Sequence, residues 1–421
     1  MLLILTGLSC RPDPEPPSGD ALLLVETGRS QLTLIDRNEY VVRGTQCMFE
    51  LAPELCRPAK SSKIAECLPF GVDYAFEDGL ESLRLTWARR DTDIESGLPG
   101  YVTAFEPGHP PSTIWEIETL AYDEHLPGYR DGACIDSDGW SGDCHLNMTH
   151  VTTPSPDGRY LVLADTLSSR VVWLLPGDPP QVYAVLDDEH PAWDGFLYAN
   201  NVELFEEDGR TWLLTTFKSG DFPDVASRNT GRIVLWDVTD PSDPQHAWSY
   251  PPEGFIAAVH HGKIMEVGGE RFLVYAHSLG ASESYEGFHG SVGVAEFDLD
   301  GPIYLGDGIL PEGLEGFGFV REIELAPEGD RLFVVDSGCE NPDITECTRA
   351  GQLFEVDWPD WEPTGQSGAF DAGHTAQTFR TLSLVQDDWG ISLSFPFEVD
   401  VILEDELGPA LEGEFGPCVV P

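Results

Sequence analysis

Four large polar residues stand eight positions before four turn glycines: His150 before Gly158, Asn201 before Gly209, His261 before Gly269 and Arg321 before Gly329. Two imidazoles, a guanidinium and an amide at one repeated position combine a base or nucleophile with an anion clamp. Seven positions after the same glycines come Asp165, Thr216, Ala276 next to His277, and Asp336. If each glycine makes a hairpin, the antiparallel return brings the two sets to one face. The spacing therefore predicts a polar ring. His150, His261, Arg321 and Asn201 are its candidate catalytic residues, and His145, Asp165, Thr216, His277 and Asp336 its candidate ligand contacts. Repeat architecture alone also puts equivalent residues at equivalent heights, and Asp at a strand end commonly caps a turn. His260 should point away from the ring, because side chains alternate along a strand.

The element that carries the ring is HVTTPSPDGRYLVLADTLSSRVVWL, residues 150–174, which reads as strand, tight turn, strand, tight turn, strand. VELFEEDGRTWLLTT, KIMEVGGERFLVYAH and EIELAPEGDRLFVVD fall into the same frame, with turn glycines 51, 60 and 60 residues apart. A weaker copy, DYAFEDGLESLRLTW, turns at Gly79. Small antiparallel sheets repeating at this length are the signature of a β-propeller, in which the innermost strand of each blade lines a central channel.

ALLLVETGRSQLTLIDRNEYVVR supplies LLLVE, LTLID and EYVVR as the second to fourth strands of a unit whose first strand is missing. SFPFEVDVIL, residues 394–403, is a strand without a unit of its own. The expected fold is all-β: a single β-propeller over residues 21–421, with the C-terminal strand entering the N-terminal blade and closing the ring. Six four-stranded blades account for the repeats, and a seventh could be assembled from residues 376–392. The glycine turns are tight, whereas the stretches 217–230, 278–290 and 337–350 are long and leave from the ring side. Long loops on one face and short turns on the other point to the ring face as the one that meets a ligand or partner.

The chain has 421 residues, 41% hydrophobic, with 23 Lys and Arg against 74 Asp and Glu, for a formal charge of −51. Such a surface repels phosphate backbones and anionic lipid, which argues against nucleic acid as a partner. Carboxylates in excess also raise the question of calcium. Asp136-Ser137-Asp138-Gly139, followed by Asp143, resembles the start of a calcium loop, where oxygen ligands converge and a glycine permits the bend. Asp136, Asp138 and Asp143 are thus candidate metal ligands and calcium the candidate cofactor, although no third alternate ligand and no closing Glu follow, as in an ordinary solvated turn.

MLLILTGLSC followed by the acidic, Pro-rich RPDPEPPSGD resembles the end of a bacterial lipoprotein signal. That resemblance makes Cys10 the lipidation site, residues 1–20 a signal and tether, and the membrane a contact only through the anchor. Eight other cysteines, an even number without CxxC metal spacing, read as disulfides of an oxidising compartment. Cys134 with Cys144 and Cys339 with Cys347 are natural local pairs. Cys47, Cys56, Cys67 and Cys418 can pair in three ways. The expected location is the cell envelope, periplasm or cell surface, and the expected state a monomer.

GxSxG, HExxH, GxGxxG and P-loop signatures are all absent. The aromatic stretches DWPDWEP and QHAWSYPPEGF suit either stacking on sugars or packing between blades. His150 and His261 with Arg321, on a six-bladed propeller in an exported chain, resemble the site of the bacterial arylsulfotransferases. That resemblance implies a histidine, His150 or His261, that carries a sulfuryl group, with Arg321 and Asn201 stabilising the developing charge. Two functions follow from the residues. One is a binding module whose looped face takes a small molecule, a glycan or an envelope protein; the other is group transfer or hydrolysis at the polar ring.

Overall fold

At Gly158 the backbone takes φ +67, and Gly209 and Gly269 repeat it at +74 and +86. A Cβ at any of the three would meet nothing within 4 Å, so the left-handed backbone, and not crowding, is what demands glycine there. Around Gly158 the turn is tied by Gly158 N donating to Ser155 O at 2.7 Å and Ser155 N to Tyr160 O at 2.8 Å. The Ser155 hydroxyl adds a bond to Asp157 Oδ1. Each glycine thus folds its two flanking apolar runs into a hairpin.

In the computed structural model the described residues are the strands between 21 and 402 and part of the turns joining them. Residues 1–20, 116–148, 221–230, 278–290, 310–319, 338–351, 358–395 and 403–421, with shorter connections between strands, lie outside them. Among the described residues the strands form six antiparallel sheets. The first contains β1 (Ala21–Glu26), β2 (Gln31–Asp36) and β3 (Val42–Cys47). The second is β4 (Cys67–Glu77), β5 (Leu80–Arg89), β6 (Gly100–Phe105) and β7 (Thr113–Trp115). The third is β8 (Thr149–Pro154), β9 (Leu161–Asp165), β10 (Arg170–Leu175) and β11 (Gln181–Leu186). The fourth is β12 (Phe196–Glu207), β13 (Arg210–Gly220), β14 (Arg232–Asp237) and β15 (Gln245–Tyr250). The fifth is β16 (Val259–Val267), β17 (Glu270–His277), β18 (Ser291–Glu296) and β19 (Ile303–Ile309). The sixth is β20 (Val320–Leu325), β21 (Arg331–Asp336) and β22 (Gln352–Asp357).

The last strand, β23 (Pro396–Ile402), pairs antiparallel with β1 from Ala21↔Ile402 to Glu26↔Pro396 and completes the first sheet as its inner strand. The chain ends therefore close the ring, as expected from the orphan strand near the C-terminus. The fourth strand of that sheet, expected from EYVVR, is described from Val42 to Cys47. Residues 376–392, the source of a seventh blade, lie outside the described residues. β4, β8, β12, β16, β20 and β23 touch one another in that cyclic order, so the described sheets are arranged as a β-propeller around a lumen.

LVLAD in β9 and QLTLID in β2 are buried at every position. Period-two alternation is lost because both faces of a blade pack on neighbours. Four seams fill the described inter-blade space. Trp173, Trp193, Phe217 and Trp236 pack between the third and fourth sheets, and Trp248, Tyr250, Tyr275 and Phe297 between the fourth and fifth. Smaller side chains, Val274, Val294, Ile323 and Val334, join the fifth to the sixth. Leu22, Leu24, Phe333 and Val335 join the sixth to the first. The aromatic stretch QHAWSY thus places Trp248 and Tyr250 in a packing seam.

Inner strands are also linked by polar contacts of constant separation. Asn201 Nδ2 donates to Gly262 O at 2.6 Å, His260 Nδ1 to Arg321 O at 3.0 Å and Ile264 N to Glu203 Oε2 at 3.0 Å. Each spans 61 residues, as does the ion pair of Lys263 with Glu324. The glycines of these blades repeat every 60 residues, so adjacent inner strands are staggered by one position.

Candidate functional site

One irregularity recurs in the innermost hairpins, and it falls at the height of the predicted ring. In β12, Ala199 pairs with Phe217 and Asn201 with Thr216, leaving Asn200 as an extra residue. In β16, Val259 pairs with His277 and His261 with Ala276, leaving His260. In β20, Val320 pairs with Asp336 and Glu322 with Val335, leaving Arg321. The corresponding shift in β8 lies between Thr149 and Thr152, and in β4 between Pro69 and Gly71. A β-bulge adds a residue to one strand, bends it and re-aims the side chain.

His150 and His260 show the effect. Their strands, β8 and β16, are separated by β12, yet the two rings lie 5.5 Å apart with an interplanar angle of 36°. Side chains from non-adjacent inner strands meet by projecting into the lumen. Arg321 joins them from β20, with Nη1 donating to His260 Nε2 at 2.9 Å and Nε donating to Ser337 Oγ at 3.0 Å. His150, His260 and Arg321 are 2%, 3% and 4% exposed. The expectation that alternation turns His260 away from the ring is corrected: the bulge shifts the alternation by one residue.

Of the four candidate catalytic residues, the structure brings His150 and Arg321 together. Asn201 and His261 instead reach the neighbouring inner strand. Asn201 binds Gly262 O, and His261 Nε2 lies 3.6 Å from Glu322 Oε1. Asn200 and His260 occupy the bulge positions, and both were missed by counting back from the turn glycine. A signal was present in the sequence: Asn200-Asn201 and His260-His261 are doubled polar residues at the same point of successive repeats. Asn200 is 1% exposed, and neither of its amide atoms has a hydrogen-bond partner among the described residues.

The second-strand candidates frame this centre. Asp165 is buried in an ion pair with Arg170 Nε at 2.7 Å, opposite Thr149. Thr216 Oγ1 donates to His260 O at 3.1 Å and so fixes the backbone of the bulge. Asp336 is buried opposite Val320, and the backbone of His277 pairs with Val259 and Ser291. His145, the calcium-loop residues Asp136, Asp138 and Asp143, and the lipidation residue Cys10 lie outside the described residues. Among the described residues no group of three His, Cys, Asp or Glu is placed to hold a metal ion.

Burial lowers the affinity of His150 for a proton, and the positive charges of Arg321 and Lys218 lower it further. His260 is held well below its ordinary range by burial first, then by Arg321, His150 and Lys218. Both imidazoles are therefore neutral at pH 7. His261 is lowered to about 3 by burial and by Lys263. Further along the lumen wall, burial pushes Glu203 up to about 8, reinforced by Glu324 and opposed by Lys263. Burial works against the charge of Lys263, but Glu324 and Glu203 outweigh it and hold the ammonium above its ordinary range.

Of the disulfide pairings open to Cys47, Cys56, Cys67 and Cys418, Cys56 bonds Cys67 across a separation of 11 residues. Cys47 is disulfide-bonded as well.

Fold and site define a β-propeller with a buried polar centre in its lumen. No protein-family model matches the chain, and no curated protein sequence does. Among solved structures it is similar to a hypothetical selenium-binding protein from Sulfolobus tokodaii, with 10% identity and a TM-score of 0.53 over 91% of this chain and 78% of that one. It is also similar to hydrazine synthase of Kuenenia stuttgartiensis, with 13% identity, TM-score 0.46, and 94% and 89% of the two chains covered. A periplasmic gluconolactonase of Pseudomonas aeruginosa matches at 15% identity and TM-score 0.41, over 91% and 99%. Likeness at these identities extends to the fold alone.

Proposed function

We propose that the protein is an exported β-propeller that binds a small anion at the lumen centre formed by His150, His260 and Arg321. The observation that carries this reading is the sign of the local charge. The charged side chains that shift both imidazoles are cations, Arg321 and Lys218, in a chain of formal charge −51. A buried guanidinium held by defined partners suits an oxyanion, whether sulfate, phosphate or carboxylate. Export is supported by the Cys56–Cys67 disulfide together with the lipoprotein-like N-terminus. Six blades, with residues 1–20 as tether and the anchor at Cys10, complete the reading.

Calorimetric titration with sodium sulfate, sodium phosphate and sodium acetate tests it. Saturable binding of at least one anion is expected at pH 7, weakened about tenfold or more in Arg321→Gln. No binding of any of the three by the wild-type protein would overturn the reading.

A second reading is group transfer of the arylsulfotransferase type. It is favoured by the neutral imidazole of His150, 5.5 Å in centroid distance from the ring that Arg321 binds. A neutral imidazole beside a guanidinium can attack the sulfur or phosphorus of an aryl ester whose anionic oxygens the guanidinium holds. An N–S or N–P bond forms as the S–O or P–O bond breaks and the aryl oxide leaves, and water or a second hydroxyl then takes the group from the imidazole. Turnover of an aryl sulfate or aryl phosphate that disappears in His150→Ala would support this reading, and absence of turnover would leave binding alone.

A further inference from the structure

At the end of the third sheet remote from His150, where the chain turns at Gly158, a cavity of about 330 Å³ opens between the third and fourth sheets. That size lies within the range of small-molecule sites, about 300–1,000 Å³. One wall is aromatic. Tyr160 and Tyr183 lie with ring centroids 4.7 Å apart, Tyr160 buried and Tyr183 half-buried, so Tyr183 is the ring that a ligand can meet. The Arg159 guanidinium lies over both rings, 4.9 Å from the centroid of Tyr160 and 5.8 Å from that of Tyr183. Asp157 and Asp240 add a carboxylate from each sheet. Asp157 accepts through Oδ1 from Ser155 Oγ at 2.5 Å and from Arg159 N at 3.0 Å. Asp240, on the turn between β14 and β15, accepts through Oδ1 from Ser242 Oγ at 2.7 Å and from Ser242 N at 3.0 Å. The Ser155 and Ser242 hydroxyls hold the two acids below the ordinary carboxylate range, so both are ionised at pH 7.

Charge decides which ligands suit this lining. An apolar ligand would take water from Asp157, Arg159 and Asp240 and give them nothing in return. An anion would gain Arg159 but meet both carboxylates, in a chain of formal charge −51. A cation would find the aromatic wall already covered by the guanidinium of Arg159. A sugar escapes all three conflicts. Its hydroxyls can donate to Asp157 and Asp240 and accept from Arg159, and the C–H face of its ring can lie on Tyr183. We infer that this cavity is a binding site for neutral saccharides, with Tyr183 as the stacking ring and Asp157, Arg159 and Asp240 as the hydroxyl contacts. The site is separate from the lumen centre and does not depend on the anion-binding reading.

Saturation-transfer NMR on the full-length protein at pH 7, with glucose, galactose, mannose, N-acetylglucosamine, maltose and cellobiose as probes, tests it. Saturable binding of at least one is expected. Tyr183→Ala should weaken it about fivefold or more through the lost stacking. Asp240→Asn keeps an acceptor for Ser242 and removes the charge, and should weaken it about tenfold. Arg321→Gln, at the lumen centre, should leave it unchanged. Glucosamine and glucuronate add a charge of either sign to the same ring and should bind no more tightly than the best neutral sugar. Failure of every neutral probe to bind, or tighter binding of a charged one, would overturn the neutral-saccharide class. Binding that is unchanged in both Tyr183→Ala and Asp240→Asn would overturn the site. Should Tyr183→Ala not fold, Asp240→Asn, at an exposed turn position, decides.

Discussion

Arg321 and His260 hold each other by two contacts of opposite sense. The guanidinium Nη1 donates to His260 Nε2 at 2.9 Å, and His260 Nδ1 donates to the carbonyl oxygen of Arg321 at 3.0 Å. A guanidinium has no acceptor and a carbonyl no donor, so the imidazole must carry its proton on Nδ1 and present a lone pair at Nε2. Protonating the ring would place two cations face to face. His260 is therefore a neutral residue that orients Arg321.

Replacing His260 tests that assignment. His260→Phe keeps the ring volume and removes both bonds, and sulfate affinity should fall about tenfold, as for loss of a hydrogen bond to a charged group. Gln at the same position can still accept from Arg321 and should recover a large part of the loss. Calorimetry on the two variants separates positioning from bulk, because a purely steric role would make Phe the better substitute.

Much of this architecture is legible in the chain, since the turn glycines set both the hairpins and the repeat. The orphan strand near the C-terminus gave the ring closure with the same clarity. The centre is legible only to within one residue. Counting from Gly269 selects His261, and the extra residue in β16 moves the lumen position to His260. Bulges leave no strong local mark in composition, because the added residue is unpaired while its neighbours keep their apolar pattern. His150 and Arg321 were found because in their strands the bulge falls on the counted position.

Stability should depend on pH through two groups of opposite sign. His150, His260 and His261 have native values below the ordinary imidazole pKa of about 6.5, so the unfolded chain binds protons first as pH falls. Their contribution is complete above about pH 6.5 and is lost as pH falls toward the native values, about 3 for His261. Glu203, pushed up to about 8, contributes fully below the ordinary glutamate range and loses that contribution as pH rises through 8. Urea unfolding across the range should show Glu203→Gln flattening the alkaline limb and His261→Gln the acid limb. Variant profiles parallel to that of the wild type would contradict both assignments.

The buried pair of Asp165 and Arg170 should cost more to halve than to remove. Both side chains are almost wholly inaccessible, and their atoms meet at 2.7 Å. Asp165→Ala leaves a guanidinium in the interior and should destabilise the fold by about 3–5 kcal/mol. Adding Arg170→Met to the same chain should return a large part of that loss, because no uncompensated charge remains. Denaturant midpoints of the single and double variants provide the comparison, and a double variant no better than Asp165→Ala would show that the pair is not what the aspartate serves.

Gly293 in β18 pairs with Tyr275 in β17, and the tyrosine ring lies over the glycine. A Cβ at Gly293 would overlap Tyr275 Cζ, Cε2 and Oη, so the ring has to move if any side chain is present. Tyr275 cannot swing freely. It is 2% exposed and meets Tyr250 edge-on at 5.9 Å in the seam between the fourth and fifth sheets. Gly293→Ala should therefore destabilise by about 1–3 kcal/mol, the range for overpacking a filled core. In a Tyr275→Leu background the shorter side chain leaves the space above residue 293 open, and the same alanine should cost little. A double-mutant cycle by urea unfolding isolates the coupling. A coupling near zero would mean that the loss arises from the backbone of β18 and not from the ring.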